Sequence, residues 1–218
     1  MERLPVGLVV AYLVSAAVAV ASSLTGRRAL LIVTKPLTTA LLLVVAGPLG
    51  SSFSWLIHVG IALSLAGDVI LLMKAKGAFL LGLGVFLGAH LAYIVAFAGV
   101  AGPALLAPPA LAAAAIVIVA SVILLRRLWP GAGGIRAPLV TYAIALSATV
   151  TTAVAATSAA GPRLLAPAAA VGAALFYVGD ASLALDHFHR PIRYAPLLTL
   201  GVYWLGQLGI ALAARAAG

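Results

Sequence analysis

Two aspartates and one lysine stand inside long apolar stretches of this sequence. Asp68 lies within 60–73, Asp180 lies within 172–185, and Lys35 follows a run of aliphatic residues. A carboxyl group in apolar surroundings can hold a proton near neutral pH, and a second carboxylate nearby favours one protonated and one ionised group. The pair could therefore supply acid–base catalysis, and Lys35 could bind an anionic group or pair with one of the carboxylates.

Charge is scarce in the rest of the sequence. The 218 residues include four acids (Glu2, Asp68, Asp180 and Asp186) against 13 Lys and Arg, which gives a net charge of +9. Only 8% of the residues are charged, 65% are hydrophobic, and the mean hydropathy is +1.24. Soluble domains carry about 25% charged residues, so this composition excludes a soluble globular fold. It also excludes disorder, and the lack of cysteine excludes disulfides and thiol catalysis.

Eight apolar runs are long enough to cross a bilayer, which takes roughly 20 residues of helix. They cover about 4–24, 29–46, 54–73, 78–99, 104–125, 138–159, 163–185 and 195–214. The first run is longer than the core of a signal peptide and seven more follow, so we expect it to be the first helix of the bundle. The predicted fold is all-α: one polytopic transmembrane domain, 1–218, of eight helices.

The loops after the odd-numbered runs carry most of the basic residues. They hold Arg27, Arg28, Lys74, Lys76, Arg126, Arg127, Arg136, Arg190 and Arg193, whereas the other side holds Arg3, Arg163 and Arg215. By the positive-inside rule we expect both termini outside and the odd-numbered loops in the cytoplasm, in an integral protein of a bacterial inner membrane. Because the basic residues lie between membrane runs, we expect membrane lipids as partners and no nucleic acid. The oligomeric state is left open.

The two halves of the chain resemble one another. In 60–73 and 172–185, six of fourteen residues are identical, and both segments contain a Gly-Asp pair. The stretch 84–91 aligns in the same way with 201–208, which pairs His90 with Gln207. The repeat unit is four helices, an even number, so we predict two parallel repeats of about 1–103 and 104–218. Chance similarity between apolar helices is the competing interpretation.

The intramembrane charges should meet at one depth. Helix 2 runs opposite to helices 3 and 7, so Lys35, Asp68 and Asp180 all fall in the half of the bilayer nearer the odd-numbered loops. Six polar side chains share their helix faces and complete the candidate substrate-binding set with Lys35: Ser64, His90, Tyr93, Tyr177, Tyr203 and Gln207. We therefore expect a small polar chamber under an apolar roof.

Each of these residues also has a plain structural interpretation. Lys35 could extend to the interface, one Asp could serve as its partner, and His90 could simply join two helices by a hydrogen bond. Asp186, His187 and His189 are capable of binding metal, but two histidines two residues apart are weak evidence. We expect no metal and no cofactor.

Taken in order, the motifs resemble the lysoplasmalogenase, or YhhN-like, family of eight-helix membrane proteins. The resemblance is carried by Lys35-Pro-Leu-Thr38, Gly67-Asp68 with Leu71, Phe86, His90 and Tyr93, Gly172-Ala-x-Leu-Phe176, Asp180, Leu183-Ala184, Tyr203 and Gln207. It implies hydrolysis of the vinyl-ether bond of lysoplasmalogens to a fatty aldehyde and a glycerophospho-ethanolamine or -choline. It also implies that Asp68 and Asp180 are catalytic and that the substrate is a lysophospholipid or related ether lipid. Gly179 departs from the family, in which Ser would be expected before the helix-7 Asp.

Two other classes of function fit part of the pattern. Parallel repeats with intramembrane charges also describe carriers of small solutes or lipids. A non-catalytic lipid-binding or scaffold protein would need neither Asp. Aldehyde release without ATP or a gradient distinguishes the enzyme from both.

Overall fold

The computed structural model describes residues 6–75, 77–160 and 166–217, and the fold there is helical throughout. Eight long helices follow one another: α1 (Val6–Leu24), α2 (Arg28–Val45), α3 (Ser52–Leu71), α4 (Ala78–Ala101), α5 (Pro108–Leu128), α6 (Arg136–Ala160), α7 (Ala166–Phe188) and α8 (Tyr203–Ala217). All eight, taken with their flanking short helices, are long and apolar enough to cross a membrane. The predicted all-α, eight-helix fold is confirmed, and the described residues contain no β-strand.

Large aliphatic side chains cover the outside of the bundle. Ile116, Ile144 and Val33 are 69%, 65% and 62% exposed, and similar residues lie along the other helices. A soluble monomer rarely exposes contiguous apolar surface of this extent. The outer surface therefore suits the hydrocarbon of a bilayer, and the protein is an integral membrane protein.

The helix ends differ from the predicted spans by a few residues. The largest shift is at α8, which begins at Tyr203 and not near 195 because Leu197–Val202 forms a π-helical segment before it. The next largest is at α5, which begins at Pro108 because Gly102–Leu106 forms a separate 3-10 helix and proline favours the first helical turn. The predicted seventh span ends at 185 and so leaves Asp186 and His187 in the loop after it. This is wrong, because α7 continues to Phe188 and both residues are helical. Of the residues used in the predictions above, Glu2, Arg3, Lys76, Arg163 and the first residues of spans one and seven lie outside the described part of the chain.

A π-helical segment, Leu197–Val202, leads directly into α8. Sequence periodicity gave no sign of it. π-helical turns hold an extra residue and occur often at functional sites. Here Thr199 and Leu200 from this segment, and Tyr203 after it, all border the cavity described below.

Close packing joins the helices around α6, the most buried of them. α3 packs along α4, α7 packs along α8, and α6 lies between α4, α5 and α7. At Gly172 and Gly206 the backbones of α7 and α8 nearly touch: an added Cβ at either would lie 2.6 Å from the other's carbonyl oxygen. Only glycine permits this approach. The two-repeat architecture remains a prediction.

Candidate active site

A polar cavity of about 550 Å³ opens at one end of the bundle. Its inner wall carries Lys35, Asp68, Asp180 and Tyr203, and its mouth carries Arg28, Lys74 and His187, which we call the basic rim. Phe86 and Leu71 form part of its apolar wall. The cavity thus connects buried carboxylates with a positively charged opening. Lys35, Asp68 and Asp180, which the sequence predicts to meet, all border it.

Asp68 is held by three donors. Lys35 Nζ lies 3.2 Å from Oδ1, the hydroxyl of Thr39 donates to Oδ2 at 2.5 Å, and the hydroxyl of Tyr203 donates to Oδ2 at 3.1 Å. The Lys35 and Asp68 side chains are 8% and 2% exposed, so the ion pair is shielded from water. A buried charge persists only when it is paired and hydrogen-bonded, and Asp68 meets both conditions as a carboxylate.

A second set of bonds fixes Thr39. The indole Nε1 of Trp204 donates to Thr39 Oγ1 at 3.1 Å, so the threonine accepts from the indole while it donates to Asp68. The backbone oxygen of Trp204 in turn accepts from the hydroxyl of Tyr12 at 2.6 Å. These contacts link α1, α2 and α8 to the carboxylate on α3.

Asp180 has fewer partners and more contact with the cavity. The hydroxyl of Tyr142 donates a short hydrogen bond to Oδ2, and His90 Nε2 lies 3.5 Å from the same oxygen. Neither contact involves Oδ1. The side chain is 11% exposed, against 2% for Asp68. The described residues place no lysine or arginine within 4 Å of this carboxyl group, so nothing fixes it as an anion in the way that Lys35 fixes Asp68.

The hydrogen bonds of His90 determine which ring nitrogen carries its proton when the ring is neutral. The hydroxyl of Thr149 donates to the carbonyl of Ala145 at 2.9 Å, so its oxygen is left to accept from His90 Nδ1 at 3.0 Å. Nε2 is then the unprotonated nitrogen. It is fully buried, has no hydrogen-bond partner, and faces Asp180. A proton shared between Asp180 and this nitrogen would satisfy both groups.

Behind the cavity lies a fully buried network centred on Gln207. Its amide nitrogen donates to Ser64 Oγ at 2.9 Å and to Tyr203 at 3.3 Å, and its amide oxygen accepts from Tyr93 at 2.8 Å. The network orients the Tyr203 hydroxyl toward Asp68. Of the predicted binding residues, Lys35 and Tyr203 border the cavity, whereas Ser64, Tyr93, Gln207 and His90 support its wall from behind.

Tyr177 is turned away from the cavity. Its hydroxyl lies 2.8 Å from Ser121 Oγ, which also contacts Ser147, so it joins α7 to α5 and α6.

Two residues that contact the carboxylates were missed by sequence reasoning. Thr39 lies one turn after Lys35, a spacing that could have revealed it. Tyr142 carries no such signal, because it has no polar neighbour at helical spacing that points to Asp180.

Close packing against α8 explains why a glycine, Gly179, precedes Asp180. An added Cβ at Gly179 would lie 3.0 Å from the backbone nitrogen and Cβ of Tyr203. The small residue lets α7 approach Tyr203, the first residue of α8, whose hydroxyl donates to Asp68.

Comparison with known proteins places this chain in a family. The model of the YhhN family matches residues 30–214. Lysoplasmalogenase TMEM86A of Homo sapiens is 30% identical over 161 residues, which cover 72% of this chain and 64% of the relative. Lysoplasmalogenase of Mycobacterium tuberculosis is 34% identical over 163 residues, 73% of this chain and 59% of the relative. No solved structure gives a significant match.

The family match extends over most of the chain, and the chain belongs to the YhhN family. It spans about 59–64% of the length of the curated relatives it matches.

Proposed function

We propose that this YhhN-family protein is a membrane-embedded hydrolase. Its substrate is a lysoplasmalogen or a related single-chain ether lipid, and its products are a fatty aldehyde and a glycerophospho-ethanolamine or -choline. The names of the relatives support the activity. The observation that carries the proposal is the pair of carboxylates on one cavity: Asp68 paired with Lys35, and Asp180 without a cationic partner.

The reaction begins with a proton transfer to carbon. Asp180, in its protonated form, delivers a proton to the second carbon of the vinyl ether, and the first carbon becomes an oxocarbenium ion. The positive charge develops next to Asp68, whose ionised form stabilises it electrostatically. Tyr142 and His90 position the Asp180 carboxyl group.

Water completes the reaction. A water molecule adds to the first carbon and loses a proton to the Asp180 carboxylate, which restores the acid. In the resulting hemiacetal the bond from the first carbon to the glycerol oxygen breaks, the hydroxyl proton passes to that oxygen, and the aldehyde and the alcohol leave. The basic rim suits the phosphate of the headgroup, since Arg28 and Lys74 lie at the mouth of the same cavity.

The test is the reaction of purified protein with lysoplasmalogen in D2O. We expect an aldehyde that carries one deuterium on its second carbon, because the proton added there comes from an exchangeable group. Asp180→Asn and Asp68→Asn should each lower kcat by about 10²–10⁴-fold, the contribution typical of general acid–base groups. Full activity in either variant, or an unchanged lipid, would refute the proposal.

A further inference from the structure

A narrow apolar slot adjoins the polar cavity at Asp180. Its volume is about 40 Å³, against about 550 Å³ for the cavity, and it lies between α4, α5, α6 and α7. Apart from Tyr142 and Asp180, only Leu, Phe and Ala side chains line it. Leu71, Phe79, Phe86, Asp180 and Leu183 border both spaces, so the two lie side by side.

We infer that the slot binds the first carbons of the substrate's hydrocarbon chain. The inference rests on the proposed function. In a vinyl ether the carbon that receives the proton is the second carbon of that chain, while the ether oxygen belongs to the polar glycerol side. Asp180 is the carboxylate that borders both the apolar and the polar space, so a lipid bound across the junction presents its reactive bond to it.

The size of the slot limits what can enter. About 40 Å³ corresponds to roughly three water-sized spheres, since one such sphere takes about 10–15 Å³. This space admits one slim, unbranched chain and excludes a headgroup or a second chain. Beyond the slot, the partly exposed Leu125 leads toward the lipid-facing surface, where the rest of the chain can lie in the bilayer.

The slot should therefore select for a single straight chain next to the ether bond. Ala143, which is 5% exposed, forms part of the wall on α6, and Leu146 lies one turn further along the same helix. Ala143→Leu would narrow the slot and Leu146→Ala would widen it. Ile144→Phe is the matched control, because Ile144 lies on the same helix and is 65% exposed on the outside.

The experiment compares kcat/KM for a straight-chain lysoplasmalogen with that for an analogue methyl-branched at the third chain carbon. We expect Ala143→Leu to lower kcat/KM for the straight chain by about tenfold. Leu146→Ala should raise the branched-to-straight ratio about tenfold, and Ile144→Phe should change neither value by more than twofold. A ratio that stays constant in both slot variants would overturn the inference while the proposed function stands.

A binding measurement keeps the inference testable if no hydrolysis occurs. The probe is a saturated 1-O-alkyl lysophospholipid with a diazirine on an early chain carbon, which has no vinyl ether to cleave. We expect photo-crosslinks on Leu124, Ala143 or Leu146 of wild-type protein in lipid nanodiscs. Crosslinks confined to outward-facing residues such as Ile116 and Ile144 would show only bulk lipid contact and would refute the slot.

Discussion

The two intramembrane aspartates share a cavity but differ in what surrounds them. Asp68 is paired with an ammonium group and accepts two hydroxyl hydrogen bonds. Asp180 meets one hydroxyl and one imidazole, both at the same oxygen, and is the more exposed to the cavity. In the proposed mechanism this asymmetry lets one site hold an anion and an acid together: the partners, and not the residue type, set which carboxyl group is free to exchange a proton.

The partners come from corresponding helices. Asp68 on α3 is contacted from α2 and α8, and Asp180 on α7 is contacted from α6 and α4. Each aspartate thus takes one set of contacts from the second helix of its own half and one from the fourth helix of the other half. A two-fold related pair of repeats would produce this arrangement. The lysine is the exception, because Asp180 has no counterpart to Lys35 among the described residues.

Removal of that lysine should have the greatest consequence. Lys35→Met leaves a buried carboxylate without its counter-ion, and loss of one partner of a buried pair costs about 3–5 kcal/mol. We expect a large drop in the thermal unfolding midpoint in detergent. The double variant Lys35→Met/Asp68→Asn should recover much of it, and Lys74→Met, on an exposed lysine, should have little effect on stability. Equal stability of Lys35→Met and wild type would mean that the ion pair does not fix Asp68.

The next largest effect concerns the donor to Asp180. Tyr142→Phe removes the hydroxyl hydrogen bond to Asp180. In the proposed reaction Asp180 becomes a carboxylate as it gives up its proton, and a hydrogen bond to a charged group contributes about 1.5–3 kcal/mol. We expect kcat to fall by about tenfold or more with little change in KM. Tyr177→Phe deletes the same atom from a hydroxyl that bonds Ser121, so its effect on kcat should be clearly smaller. Comparable losses in both would support the sequence prediction for Tyr177 and weaken the role of Tyr142.

A smaller loss is expected at the donor to Asp68. Tyr203→Phe removes one of three partners, and Lys35 and Thr39 remain to hold the carboxylate. We expect kcat to fall about threefold in steady-state assays, less than for Tyr142→Phe. The opposite order of the two variants would reverse the assignment of acid and anion.

The smallest effect tests the proton position on His90. Thr149→Val removes the oxygen that accepts from Nδ1, so the ring can carry its proton on either nitrogen. We expect kcat to fall by about two- to fivefold. Thr152→Val is the control, because that hydroxyl bonds only carbonyls of its own helix. An unchanged kcat in Thr149→Val would separate His90 from the positioning of Asp180.

Much of this molecule could be predicted from its sequence because the membrane imposes simple rules. A spanning helix must be long and apolar, so the eight helices could be identified from the sequence. A charge inside such a helix requires a partner, so Lys35, Asp68 and Asp180 could be predicted as site residues. The pairing of Lys35 with Asp68 over Asp180 depends on how α2 is rotated against α3. No periodicity within one helix contains that information.

Hydroxyl residues were harder to assign. Threonine and serine can bond their own helix at the preceding turn, as Thr34 and Ser147 do, so their presence inside a span does not identify a site. Thr39 differs from these in what lies opposite it on another helix, which is Asp68. Tyr177 shows the reverse case: it lies at the right spacing from Asp180, yet the packing of α5 and α6 gives it a different partner.

The π-helical turn before α8 makes chain length itself a determinant of the site. Each residue rotates an α-helix by about 100°, so the extra residue held in Leu197–Val202 sets the angle at which α8 presents its side chains. Loss of a single residue from this turn would leave every functional group in the chain and yet swing Tyr203 and Gln207 away from their partners. In this part of the molecule the orientation of the candidate active-site side chains depends on how many residues the turn contains, whichever residues they are.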